Sequence, residues 1–250
     1  MTKPPKVTQL QLKLLALALM TLDHIGGVMG RKTLGTLYQP LRNVGRIAFP
    51  IYCFLLVEGF FHTRSLKKYL ARLLLAFCLS EVPFCLGLYR RFPASRSNVM
   101  LTLALGLMTV AALDRGKAFF DSKEGDSLLH RTLFQMAVVS AGMGAAFLFR
   151  TDYRGGGVLL IVLFYLFRGN PWAQLATMAP SMLVFYRPNE LYALFALLPL
   201  ALYDGERGPR LRSRGAQWFF YLYYPLHLTV LVLIRSAFFP VPLEVFGTVL

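Results

Sequence analysis

Acidic residues are scarce in this sequence. Aspartate and glutamate together number 12 among 250 residues, lysine and arginine number 27, and the formal net charge is +15. In a soluble protein such an imbalance would point to nucleic acid. Here the cations sit at the ends of apolar runs, where they orient helices against anionic lipid and the translocation machinery, so nucleic acid is not an expected partner. Long polar segments are also lacking. The longest, 114–131, is under about 20 residues and reads as a loop, which leaves no room for a soluble domain; residues 1–250 are read as a single integral membrane domain. Cysteine is sparse as well. Cys53, Cys78 and Cys85 fall inside or at the end of apolar runs, form no CxxC pair and have no histidine or aspartate beside them at metal-ligand spacing. Neither a disulfide framework nor a metal site is expected.

What the chain has is apolar surface. It is 56% hydrophobic and 16% charged, against about 25% charged in average soluble chains, and the apolar residues are gathered into runs nearly free of charge. Taking ~20 apolar residues per crossing and accepting shorter runs, nine spans are expected: 10–29, 44–61, 69–88, 99–113, 132–149, 157–167, 172–186, 191–203 and 218–239. The three between 157 and 203 are short enough to be tilted, re-entrant or broken. The fold class that follows is all-α: a polytopic transmembrane helix bundle with about nine spans, some short or broken. The first run follows a basic N-terminus as a signal peptide would, but Asp23 and His24 come next without a small-x-small cleavage site, so it is read as a retained helix. Clusters of lysine and arginine at 64–72, 115–131 and 207–214 favour a cytoplasmic N-terminus by the positive-inside rule, in a plasma membrane.

The informative residues are polar ones inside apolar runs, since each costs ~2.5–3.5 kcal/mol at the bilayer centre on insertion scales and calls for a partner or a function. The first span holds Lys13, Asp23 and His24. Lys13 and His24 are eleven residues apart, about three helical turns, so they share one helix face ~16 Å apart along the axis. Asp23 and His24 are adjacent and do not face each other; Asp23 is expected to pair with another helix, Arg46 being a candidate. The second span carries Arg46, Pro50 and Glu58, the third Ser80, Glu81 and Pro83. Glu81 is a candidate to neutralise Arg46, and an ion-pair lattice holding the helices together is the plain alternative for all three charges. Arg154 precedes three glycines at 155–157. Successive glycines at a helix start can let backbone N–H groups approach an anion, although a flexible turn explains them as well. His227 lies two residues beyond Pro225 in the last span, where a proline exposes backbone acceptors.

The runs LKLLALALMTLDHIGG, LRNVGRIAFPIYCFLLVEGFF, SEVPF, DYRGGGVLLIVLFYLFR and WFFYLYYPLHL resemble the TraX family of membrane proteins. The resemblance spans most of the chain, from residue 12 to about residue 235. It implies an activity of the kind for which that family is known, N-acetylation of the F-type conjugative pilin. The family in turn is similar to a wider group of transmembrane acyltransferases, among them heparan-alpha-glucosaminide N-acetyltransferase and bacterial enzymes that O-acetylate surface glycans. These carry an essential histidine in the first span and a polar or cationic residue eleven positions earlier, places that His24 and Lys13 hold here; Lys stands where Arg or Asn is usual. By this resemblance acetyl-CoA is the cytoplasmic donor, bound in part by Lys13. The acceptor is an amine or hydroxyl of a pilin or glycan outside, His24 is the general base with Asp23 beside it, and Arg46 stabilises the oxyanion or binds the acceptor. Glu58, Glu81, Arg154 and His227 complete the substrate or oxyanion candidates, and no metal is implied. A proton-coupled carrier or a structural subunit of a conjugation or secretion assembly would also use intramembrane charges.

Overall fold

A computed structural model of the chain describes residues 6–122, 127–170, 172–174, 176–178, 181, 188–206, 208, 214–239, 242 and 244–249. The molecule is a helix bundle. Helix α1 (Gln9–Leu34) opens on a capping box: the Thr8 hydroxyl accepts from the Gln11 amide while the Gln11 side chain accepts from the Thr8 amide, which satisfies two donors that a helix start leaves open. Gly30, at φ 78°, kinks α1 in a conformation that glycine alone adopts without strain. A 3-10 turn then leads into the short α2 (Tyr38–Gly45) and on to α3 (Ala48–His62). Helix α4 (Leu66–Phe84) holds Pro83 and runs into a widened turn, Cys85–Tyr89, a geometry that gathers at functional sites. Helices α5 (Val99–Asp121), α6 (Leu128–Leu148) and α7 (Arg154–Leu166) follow. A 3-10 stretch, Pro188–Ala196, leads into α8 (Leu197–Ala201), and α9 (Arg214–Phe238) is the last helix.

Among the described residues five stretches are long and apolar enough to cross a membrane: Gln9–His62, Leu66–Tyr89, Val99–Asp121, Leu128–Leu148 and Trp218–Phe238. The first is divided by the Gly30 kink into an α1 crossing and an α3 return. Arg154–Leu166 and Leu191–Ala201 are apolar but shorter. The protein is thus a multi-pass membrane protein of all-α class.

Two corrections to the expected spans have physical causes. The segment 114–131 is mostly helix rather than loop: α5 continues to Asp121, and α6 begins at Leu128 with Arg131 bridging back to Asp121 at 2.9 Å. Their charges end the apolar run, but a helix end in water loses nothing by carrying charge. The expected span 191–203 is a 3-10 stretch followed by one short α-turn. The expected span 172–186 falls largely outside the described residues; 172–174, 176–178 and 181 are helical.

The two ends of the bundle are each tied by backbone pairing. At the end where α1 begins, Val7 bonds to the chain after α8, its amide donating to the Leu202 carbonyl and its carbonyl accepting from Asp204. At the opposite end, β1 (Arg91–Phe92) pairs with β2 (Glu244–Val245), which pairs with β3 (Thr248–Val249), and Ser97 bridges Thr151. Helices α3 and α7 run parallel, and contacts join them along their length. The Phe49 and Tyr153 rings stack at 3.4 Å near their starts, and Arg168 donates through Nε and Nη2 to the two Glu58 oxygens at 2.6 and 3.2 Å near their ends.

A buried histidine pair on a basic cavity

Helices α1 and α9 run parallel and meet along one face. The Lys13 ammonium stands 5.6 Å over the Phe220 ring, the Thr21 hydroxyl meets the Tyr223 hydroxyl at 2.8 Å, and His24 meets His227. The face shared by Lys13 and His24 is therefore the face that α9 covers.

The contact of the two histidines fixes their tautomers. His227 Nδ1 lies 2.7 Å from the Tyr223 carbonyl oxygen. A carbonyl only accepts, so a neutral His227 carries its hydrogen on Nδ1 and presents a lone pair at Nε2. That Nε2 is 2.7 Å from His24 Nδ1, so the hydrogen between the rings belongs to His24 Nδ1. The basic lone pair of His24 is then at Nε2, and His24 lines a cavity of about 910 Å³. Both histidines are buried. The arrangement is a two-ring relay anchored on a backbone carbonyl, and it gives His24 one defined basic nitrogen.

The cavity lies at the end of the bundle where α1 finishes and α3, α5 and α7 begin. Four arginines line it, Arg42, Arg46, Arg96 and Arg154, with two carboxylates, Asp23 and Asp152. Asp23 pairs as expected with Arg46, whose Nη2 is 3.3 Å from Oδ1. It also pairs with Arg42, which donates to Oδ2 at 2.8 Å and to the Asp23 carbonyl at 3.1 Å. Gly45 permits this: a Cβ there would collide with the Asp23 side chain and lie 2.7 Å from its Cα. Asp152 and Arg96 are brought together by the Ser97–Thr151 bridge. Enclosure pushes the Asp152 carboxyl above its ordinary value, and the Arg46 and Arg96 guanidiniums are the foremost groups pulling it back. Arg154 stands at the first position of α7 with φ 46°, a left-handed conformation uncommon for a non-glycine residue and found at functional positions. Two phenols complete the site. The Tyr224 ring is 5.6 Å from His24 and its hydroxyl faces the Val99 backbone amide, while the buried Tyr52 hydroxyl has no hydrogen-bond partner among the described residues.

Of the residues singled out from the sequence, the structure gathers Asp23, His24, Arg46 and Arg154 around this cavity, with His227 directly behind His24. Lys13, Glu58 and Glu81 are not among the lining residues. Glu81 does not serve Arg46 as expected: its Oε2 accepts from the backbone amide and side-chain amide of Asn98 at 3.1 and 2.6 Å, fixing the start of α5. Glu58 sits at the opposite end of the bundle with Arg168, Tyr203 and His62. Among the described residues no group of three or more histidine, cysteine, aspartate or glutamate side chains could hold a metal. Arg42, Arg96, Tyr52 and Tyr224 carried no local signal; they reach the site through tertiary packing.

Fold and site together define a multi-pass membrane protein with a histidine relay at the wall of an arginine-lined cavity. The chain belongs to the TraX protein family, whose pattern matches residues 8–235. It is similar to a probable fimbrial assembly protein, FimC of serogroup H1, from Dichelobacter nodosus, at 27% identity over 249 residues, covering 88% of this chain and 93% of that protein. No solved structure matches the chain.

Proposed function

We propose that this protein is a membrane-embedded acetyltransferase that moves an acetyl group from cytoplasmic acetyl-CoA to an amine or hydroxyl of an acceptor on the other side of the membrane. The observation that carries the reading is the relay: His24 Nδ1–H to His227 Nε2, and His227 Nδ1–H to the Tyr223 carbonyl, each at 2.7 Å. It leaves His24 Nε2 as a base at the cavity. Imidazole suits the role because its unperturbed pKa lies near working pH. The acceptor nitrogen or oxygen attacks the acetyl carbonyl and its proton passes to His24 Nε2. The new N–C or O–C bond forms, the C–S bond breaks, and the departing sulfur takes the proton back from His24. The Tyr224 and Tyr52 hydroxyls are donors for the oxyanion, and fixed donors of this kind are worth ~10²–10³-fold each. Asp23, engaged by two arginines, holds α2 against α1 rather than touching the base. Lys13, ~16 Å from His24 by helical rise, is the cation on the donor side.

The N-terminus is cytoplasmic in this reading and the membrane is the plasma membrane. Membership of the TraX family, together with a relative named for fimbrial assembly, supports pilus assembly as the setting; the activity implied by the resemblance makes pilin an acceptor to try first, with a surface glycan as the second. The test is release of free thiol from acetyl-CoA by detergent-purified protein and by His24→Ala, across amine and sugar acceptors, with calorimetric titration of coenzyme A alongside. Slow release that depends on His24, and a rate lower by ~10²–10⁴-fold in the variant, is the expected result. Absence of both thiol release and coenzyme A binding would overturn the reading in favour of a carrier or an assembly subunit.

A further inference from the structure

Four guanidinium groups and two carboxylates line the cavity at His24, which leaves an excess of two positive charges. The pairs described at Asp23 engage Arg42 and Arg46. Arg96 and Arg154 come from two other places, the turn before α5 and the first position of α7, so three separate stretches of chain bring arginine to face one space. A carrier of positive charge would be repelled there. A lipid tail would leave the buried phenol of Tyr52, which has no hydrogen-bond partner among the described residues, still unsatisfied, at a cost of ~1–3 kcal/mol. The cavity also lies within the size range of small-molecule sites, roughly 300–1,000 Å³, and Tyr38, Tyr89 and Tyr153 are among its lining residues.

The position of these arginines adds weight. With a cytoplasmic N-terminus the cavity end of the bundle faces outward, the side on which the positive-inside rule disfavours arginine. Cations kept on that side against the topogenic bias call for a local reason, and an anion in the cavity supplies it. Guanidinium groups grip oxyanions through two parallel N–H bonds. A phosphate monoester carries about −1.5 to −2 charges near neutral pH, which matches the excess; a single carboxylate matches half of it.

We propose that the cavity binds the acceptor through an oxyanion that the acceptor itself carries, best a phosphate, and that Arg96 and Arg154 are its specificity-determining contacts. This rests on the acetyltransferase reading for the word acceptor, but the anion site can be measured without turnover.

The binding arm uses thermal unfolding of detergent-purified protein with inorganic phosphate or phosphoethanolamine, against sodium chloride and ethanolamine at equal ionic strength. The expected result is a rise in Tm with both phosphates in wild type and in His24→Ala, lost in Arg96→Gln/Arg154→Gln. A ligand that binds only the folded state stabilises it in this way. The turnover arm compares matched acceptors: ethanolamine with phosphoethanolamine, glucosamine with glucosamine 6-phosphate, and the C-terminally amidated tripeptides Ala-Ala-Gln-amide and Ala-Ala-Glu-amide. Phosphorylated acceptors should show a KM at least tenfold below their neutral partners, with the carboxylate peptide between. The double variant should erase that advantage while the KM for acetyl-CoA changes less than twofold. Equal use of charged and neutral acceptors would overturn the proposal. So would an arginine-dependent rise in the KM for acetyl-CoA, which would make this the site of the donor phosphates. Anion binding without any acetyl transfer would retain the anion site and remove the enzymatic reading; transfer without arginine-dependent anion binding would do the reverse.

Discussion

At the scale of single residues, the division of labour between the two histidines can be tested. His24 lines the cavity and His227 stands behind it. If His227 works by holding the His24 tautomer, its loss should lower kcat and leave substrate affinity nearly intact. His227→Leu removes the acceptor for His24 Nδ1–H and leaves that hydrogen free to occupy Nε2, where it blocks the base. The expected fall in kcat is on the order of 10²-fold or more, with the KM for acetyl-CoA within about twofold. His227→Gln can accept from His24 through its carbonyl oxygen and donate to the Tyr223 carbonyl through its amide, so partial recovery is expected. A merely structural role would give equal losses in both variants, with a lower Tm in each. His24 itself was legible in the sequence, because a charged pair in the middle of an apolar run is costly and conspicuous. Its relation to His227 was not, since 203 positions separate them and only the packing of α1 on α9 brings them into contact. The pairing expected between Arg46 and Glu81 failed for a related reason. Both are polar and near the ends of spans, but Glu81 is taken by Asn98, which is fully buried and needs that carboxylate to satisfy its side-chain amide.

At the scale of elements, the site depends on how closely α2 can lie on α1. Gly45 ends α2 against Asp23, and a methyl group there would collide with the Asp23 side chain. Gly45→Ala should therefore push α2 away, loosen the Arg42 and Arg46 contacts to Asp23, and cost about 1–3 kcal/mol, the usual range for overpacking. Gly144 in α6 is the contrast, with nothing within 4 Å of a Cβ built there. Gly144→Ala should be neutral or stabilise by about 0.5–1 kcal/mol, because alanine loses less backbone freedom than glycine in a helix. Thermal unfolding of the two variants in one detergent checks the pair; equal effects would mean that α2 adapts. The helices themselves were readable wherever an apolar run exceeded about 15 residues, as in α1, α4, α6 and α9. The continuation of α5 past Leu113 was not, because hydropathy reports where a helix leaves the apolar layer and not where its hydrogen bonds stop. The 3-10 stretch at Pro188–Ala196 was hidden for the opposite reason: its apolar composition resembles a span while its backbone geometry departs from one.

At the scale of the whole molecule, everything functional hangs on which end of the bundle faces the cytoplasm. The connections are internally consistent. The chain before α1, the turn after α3 and the start of α9 share one end, where Val7 pairs with the chain after α8. The ends of α1, α4 and α9 share the other, where β1 pairs with β2. The basic cluster at 64–72 and the cations Arg115, Lys117 and Arg131 belong to the first end, so a cytoplasmic N-terminus places the histidine relay and the arginine cavity nearer the outer surface. Cysteine labelling decides it, after Cys53, Cys78 and Cys85 are replaced by alanine. Thr33 is exposed at the cavity end, and Lys68 is exposed at the other. With a membrane-impermeant maleimide on intact cells, Thr33→Cys should react and Lys68→Cys should react only after permeabilisation. The reverse pattern would put the arginines on the side of acetyl-CoA. The excess positive charge would then serve the donor phosphates, His24 would receive its thioester through the cavity itself, and Lys13 would lie on the acceptor side, so the same residues would carry acetyl groups in the same chemistry with donor and acceptor exchanged.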